Sequence, residues 1–433
     1  MMSPRLTGDE SALWQAATRV LDANWTAGAT VPSPGLYPHQ WSWDSAFVCM
    51  GLARHRHDRA QEELFSLFKG QWSTGLVPHI VFNTDVARFA YFPGPELWRS
   101  SKQPSAPRDL ETSGLTQPPL HALAALRTHL CAPDLEDSRE FLRVLFPKLV
   151  AQHRHLADSR DLGGSGLISI CHPWESGLDN SPAWDRPLAA LQLPPARYSP
   201  GNLPRSVPTG VDYDRYVWLV TTFRDAGYRD EHLRDVHPFA VEDPMVNAIY
   251  LASTHALAEL AEIVGADPEP HREAAARIHA GLMERLWDSD VNWFRPLDLR
   301  AGRPLQIATV STFGPLLDPE LPAVAVRGLV DLLLSARFAG AAGYPVPTCD
   351  IQSAAFSRDG YWRGPTWVNA AWMLSLGLRR LGYIQEAEHM AERLAGLVMR
   401  EGLREYYDPF TGEGLGARDF AWTSLILEMA DPQ

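Results

Sequence analysis

Apolar residues recur at helical spacing along most of the chain, and stretches of strict alternation are few. In residues 9–24 an acidic first turn precedes Leu13, Ala16, Ala17, Val20 and Leu21 on one face, which predicts an amphipathic helix. The pattern resumes near Asp44 and stops at Gly70, reading as two helices broken near His57. Pro118 and Pro119 open a helix to about His129, and a further helix is expected from Asp134 to Asp158. Helical spacing returns over Asp212–Tyr228, Pro244–Gly265 and Pro270–Asp288, again over 319–335, 365–382 and 384–402, and last in 420–430. Between these, residues 292–317 carry an Arg-Gly turn at 300–303 and suggest a small hairpin.

These segments make about twelve helices in consecutive pairs, with the long loops falling mostly between alternate helices. No fixed sequence period appears, which lowers a solenoid. The pattern predicts an all-α (α/α)6 barrel, six inner and six outer helices, whose alternate loops gather at one mouth as a lid. No linker divides the chain, so residues 1–433 read as one catalytic domain.

Composition narrows the function. A formal net charge of −13 opposes nucleic acid, whose phosphates such a surface repels. The first fourteen residues lack the apolar stretch of a signal peptide and no run suits a membrane span, so a cytoplasmic location is expected. Cys49, Cys131, Cys171 and Cys349 are widely spaced and form no CxxC, which argues for small buried residues rather than zinc ligands or disulfides. His55 and His57 form an HxH, but among charged neighbours they read as a solvated turn rather than a metal half-site. Fifteen Trp among thirty-five Pro lean towards ordered aromatic loops suited to sugar rings, although many indoles are expected simply to be core.

The densest chemistry lies in Cys171–Asp185, where Glu175, Asp179 and Asp185 share a loop with Trp174 and Trp184. A carboxyl held against indole in a dry cleft has its pKa raised, which makes a general acid; the alternative is a structural loop whose Asp and Ser cap a helix. With Asp179 as acid, glycoside hydrolysis needs a second carboxylate. Glu405, beside Tyr406 and Tyr407, is preferred over Asp408 and Glu413, which sit in a tight turn where carboxylates bond backbone amides.

WESGLDNSPAWD, YWRGPTWVNAAW and EYYDPFTGEG, in this order, resemble glycoside hydrolase family 63 and its trehalase-like relatives. The single-barrel length and YPHQWSWDSAF look like the glucosylglycerate and mannosylglycerate hydrolases within that group, and the likeness spans about Gly35 to Trp422. The resemblance implies an inverting hydrolase with Asp179 as general acid and Glu405 as general base, and no metal or organic cofactor. It further implies sugar contacts from Tyr37, Gln40, Trp41 and Asp44, with Gln117, Trp174, Gly177, Tyr361, Trp362 and Trp367 completing the pocket. For an acidic aglycone it points to Arg215 and Tyr213, with Tyr91 as a lid group. Structural readings stand beside these: Trp362 and Trp367 as barrel interior, Arg363 as a cap or partner of Asp359, and Gln117 as a cap of its own helix. Rival functions are an α-glucosidase or trehalase-like enzyme, and a sugar epimerase using His39, His79 and His172. The expected partner is a small-molecule glycoside; an oligomer is compatible with the sequence, and glucose against mannose is left open.

Overall fold

The computed structural model describes residues 10–88, 90–194, 210–338 and 343–430. The N-terminal residues and the stretch 195–209, part of the expected lid, lie outside the described residues.

Helices dominate, and they sort by burial into two kinds. Helix α1 (Glu10–Ala23) leads to α2 (Ser42–Leu52), every residue of which is buried. A helix apolar on all sides must be surrounded by other elements. Its partner α3 (His57–Lys69) buries one stripe, Arg59, Ala60, Glu63, Leu64, Leu67 and Phe68, as expected of a helix with one wet face. The alternation continues through α4 (His121–Leu130), α5 (Leu135–Arg160), α6 (Gly210–Asp225), α7 (Pro244–Val264) and α8 (Glu269–Gly281), then α9 (Ala323–Leu334), α10 (Val368–Arg380), α11 (Ile384–Glu401) and α12 (Ile426–Ala430). Asp134 caps α5 by accepting the amides of Glu136 and Asp137, and Asp243 caps α7 by accepting that of Val246.

The buried elements touch in sequence. Helix α2 packs on α4, α4 on α7, α7 on the 3-10 segment Val310–Leu317, that segment on α10, and α10 on the 3-10 turn Ala421–Leu425, which returns to α2. The circuit therefore closes on itself. Helices α3, α5, α8, α9 and α11 each contact one or more of its members or one another from outside, and α1 lies against Ala421–Leu425, α11 and α12. Most helix limits match the sequence pattern within a few residues. The segment 310–317 differs: it forms a buried 3-10 element at whose start the Thr312 hydroxyl accepts the Thr309 amide at 3.4 Å.

Short strands pin the loops. Ser169–Ile170, Val241–Glu242, Leu297–Asp298 and Arg303–Pro304 make one four-stranded sheet, whose last pair is the hairpin expected around 300–303. Arg404–Tyr407 pairs antiparallel with Gly414–Arg418. Glu405 thus sits on a strand rather than in a loop after α11. All four cysteines are free, three of them buried, and no group of three metal-ligating side chains exists among the described residues.

Candidate active site

Asp179 and Glu405 lie 226 residues apart in the sequence and feel each other's charge, since Glu405 helps to raise the Asp179 pKa. Asp179 follows a 3-10 turn, Pro173–Ser176, that ends at Gly177 with φ 70°. A Cβ on Gly177 would stand 2.4 Å from the Trp43 ring, so both the left-handed backbone and the close approach need glycine here. The Tyr216 hydroxyl donates to the Asp179 carbonyl at 2.6 Å and fixes the loop after that turn. Asp179 keeps some accessible surface while protein surrounds it, the situation of a group facing an enclosed cleft. Burial first, and Glu405 second, push its carboxyl well above the ordinary aspartate range, which favours the protonated form a general acid needs.

Glu405 lies where the register of the 404–407/414–418 pair shifts, and such a bulge re-aims the side chain beside it. Its Oε2 accepts the Ala417 amide at 2.8 Å, while Oε1 accepts the Tyr37 hydroxyl at 2.9 Å. Gly416, at φ 65°, permits this, because a Cβ there would meet Oε2 at 2.4 Å. Burial raises the Glu405 pKa to about 7, opposed by the bonds from Ala417, Tyr37 and Tyr361 and by Arg404. Burial therefore biases Asp179 towards its protonated form, while Glu405 ionises near neutrality. Two buried carboxyls that feel each other's charge in one cleft are a candidate acid–base pair.

A third carboxyl, Asp44 in the first turn of α2, is 5% exposed and pushed well upward by burial, with Glu405 and Asp179 adding to it. Aromatic rings surround the three. Tyr91 stands edge-on to Trp41 at 5.2 Å, and Trp174 packs against His172, Tyr213 and Tyr216. The Tyr213 hydroxyl donates to the Phe92 carbonyl at 2.7 Å, tying α6 to the loop that carries Tyr91. Arg215, one residue short of a turn beyond Asp212, donates to its carboxylate at 2.7 Å, and its Nε has no partner.

Several expected contacts prove to be supports. The Gln40 amide is engaged at both ends, donating to Ser45 and Glu63 and accepting from Ser66, so it braces buried Glu63 rather than offering a sugar contact. Trp362 and Trp367 are 1% and 0% exposed, and their rings stack at 3.8 Å. No sugar reaches such faces; the pair is worth about 0.5–1.5 kcal/mol beyond its burial and backs Tyr361, whose carbonyl accepts from the Trp367 indole at 3.1 Å. Gln117 caps neither its own helix nor a ligand through Oε1, which accepts the Trp43 amide at the start of α2. Glu175 is spent on a buried ion pair with Arg160 at 2.9 Å, and Asp185 forms an outer, two-pronged pair with Arg363. Asp408 accepts the amides of Phe410 and Thr411, which is the turn-binding role expected of it.

Two supports escaped the sequence reading. Tyr216 is three residues beyond Tyr213 on one helix face, a spacing that signals it. The Ala417 amide has no side-chain letter to signal it. The histidines of the epimerase reading are a poor acid–base pair: burial lowers His39 to about 4 and His79 and His172 to about 3. His172 also donates from one ring nitrogen to the Tyr216 carbonyl and accepts the Trp174 amide on the other.

Residues 37–423 match the family model of the mannosylglycerate hydrolase MGH1-like glycoside hydrolase domain. A mannosylglycerate hydrolase of Rubrobacter radiotolerans is 39% identical over 420 residues, covering 95% of each chain. A glucosylglycerate hydrolase of Mycolicibacterium hassiacum is 36% identical, covering 95% of this chain and 96% of its own. The crystal structure of a family 63 mannosylglycerate hydrolase of Thermus thermophilus, in complex with Tris and D-glycerate, superposes with a TM-score of 0.86 at 38% identity, over 96% of this chain and 99% of that one.

Proposed function

The chain belongs to the mannosylglycerate hydrolase MGH1-like family of glycoside hydrolases, and from that membership we propose that it hydrolyses mannosylglycerate or glucosylglycerate with inversion at the anomeric carbon. It is a glycosidase, and the observation that carries the reading is the pair Asp179 and Glu405, enclosed by protein and coupled by charge within an aromatic cleft. Asp179 gives its proton to the glycosidic oxygen as the bond to the anomeric carbon breaks. Glu405 takes a proton from a water that attacks the opposite face, leaving glycerate with its hydroxyl restored and the free sugar in the β configuration. Since Oε2 is tied to the Ala417 amide, Oε1, shared with Tyr37, is the oxygen that meets the water.

In this reading Tyr37, Trp41, Asp44, Tyr361, Trp174 and the surface shaped by Gly177 hold the sugar, with the Asp44 carboxyl, pushed upward by burial, accepting at a ring hydroxyl. Gln40, Trp362 and Trp367 act behind them. Arg215 receives the glycerate carboxylate by exchanging its bond to Asp212, and its unpartnered Nε supplies a second donor. We assign the closed circuit of helices to an (α/α)6 barrel forming one domain, with the Tyr91 loop and α6 as its lid. No described helix is long and apolar enough to cross a membrane.

Initial rates on mannosylglycerate, glucosylglycerate, trehalose and an α-glucan disaccharide test the substrate. Hydrolysis of a glycerate conjugate well above the disaccharides is expected. A charge-assisted bond contributes about 1.5–3 kcal/mol, so Arg215→Ala is expected to raise KM for the conjugates by roughly 10- to 100-fold. Release from the disaccharides alone favours the trehalase-like alternative and removes Arg215 from the carboxylate role.

A further inference from the structure

Tyr361 is the outlier of the site's backbone. Its φ of 64° is left-handed, a region where a residue with an aromatic side chain is rare and persists only if its surroundings hold it there. That conformation matters, because it turns the phenol towards Tyr37, 3.5 Å between hydroxyls, and towards Glu405, whose pKa its hydrogen bond lowers. The base-side geometry therefore depends on a strained residue.

What holds it is the side chain of Asn180. The Asn180 Nδ2 donates to the Gly360 carbonyl at 3.0 Å, and its Oδ1 accepts the Trp362 amide at 2.9 Å. Those two groups belong to the two peptide units that flank Tyr361, one on each side. One carboxamide thus grips both, and it does so with a donor and an acceptor used in their only workable order. The Trp367 indole takes the remaining Tyr361 carbonyl at 3.1 Å. Asn180 is also the residue after Asp179, so the same side chain joins the acid loop to the Tyr361 turn. Arg363 strengthens the joint, reaching the Asn180 carbonyl at 3.3 Å while pairing with Asp185 through two bonds of 2.8 Å.

We infer that Asn180 is a positioning residue for catalysis: by bracketing the two peptides around Tyr361 it fixes that tyrosine on Glu405 and sets the acid loop in register with the base. Asn180 touches neither the reacting atoms nor the sugar in this account. It acts through Tyr361, and the inference rests on Asp179 and Glu405 being the acid–base pair.

The test compares Asn180→Ala, Asn180→Asp, Tyr361→Phe and the double variant Asn180→Ala/Tyr361→Phe, with kcat and KM on mannosylglycerate and a pH profile of kcat/KM for each. Asn180→Asp retains size and the acceptor for the Trp362 amide but sets a carboxylate oxygen against the Gly360 carbonyl, so it separates loss of the donor from loss of packing. Expected is a fall in kcat of about 10- to 100-fold for Asn180→Ala, as misplacement of a catalytic group by a fraction of an ångström produces. KM changes less, and the acid limb of the profile moves to higher pH as it does for Tyr361→Phe. The double variant is expected to be no slower than the slower single one, since both remove the same contribution. Wild-type kinetics in Asn180→Asp, or losses that multiply in the double variant, overturn the inference. Thermal melts of every variant guard against misfolding; if Asn180→Ala does not fold, Asn180→Asp and Tyr361→Phe decide through the shared shift of the acid limb. Failure of the wild-type protein to cleave any glycoside would instead strike the proposed function.

Discussion

Asp179→Asn is expected to lower kcat on mannosylglycerate by about a thousand-fold, within the 10²–10⁴ range that a positioned general acid contributes. The fold is expected to survive, because Asn matches the shape of the protonated carboxyl that burial already favours. A pH dependence of stability distinguishes this from ordinary damage. A carboxyl whose folded pKa lies above its unfolded value of about 4 stabilises the protein fully below that value and loses the contribution as pH rises towards the folded one. Asn carries no such loss. The melting temperature of the variant relative to wild type should therefore climb as pH increases from about 4, measured by scanning calorimetry across buffers. A variant with a constant deficit at every pH would mean that Asp179 is not buried against its own ionisation. A glycoside with a leaving group that needs no protonation should recover much of the lost rate, whereas equal loss on all substrates contradicts the acid role.

Glu405→Gln is expected to cost a similar factor in kcat with little change in KM, because a base is needed only as the water attacks. In the wild type, the reaction requires Glu405 ionised and Asp179 protonated. With Glu405 at about 7 and Asp179 pushed upward by burial, kcat/KM should rise with pH through about 7 and fall again as Asp179 ionises, the two limbs belonging to the coupled pair. The variant loses the acid limb and retains the alkaline one. Bound glycerate adds a negative charge and Arg215 offsets it, so the limbs of kcat report the complex and those of kcat/KM the free enzyme. A profile already flat from pH 5 to 7 would remove Glu405 as the titrating base.

The sequence makes the long helices legible because apolar residues at helical spacing are enough to place them, as at Pro244–Val264. It hides Val310–Leu317, where eight residues containing Gly314 and Pro315 are too short to show a period and become an element only against α7 and α10. Glu405 was legible as a carboxylate among tyrosines, but its strand and bulge were not, since the hairpin spans a turn rich in Pro, Thr and Gly. Trp362, Trp367 and Gln40 have the residue types of sugar contacts, and only the packing shows that their faces are already taken. Backbone groups are invisible in one-letter code: the Ala417 amide on Glu405 and the peptides around Tyr361 emerge only from the folded chain.

The central claim, direct displacement by water between Asp179 and Glu405, is tested most directly by following mannosylglycerate hydrolysis with proton NMR in the first minutes, before the released sugar mutarotates. The account predicts β-mannose as the first product, converting later to the equilibrium mixture. Initial release of α-mannose would mean a covalent glycosyl-enzyme step and a nucleophile in place of a general base, and would contradict it.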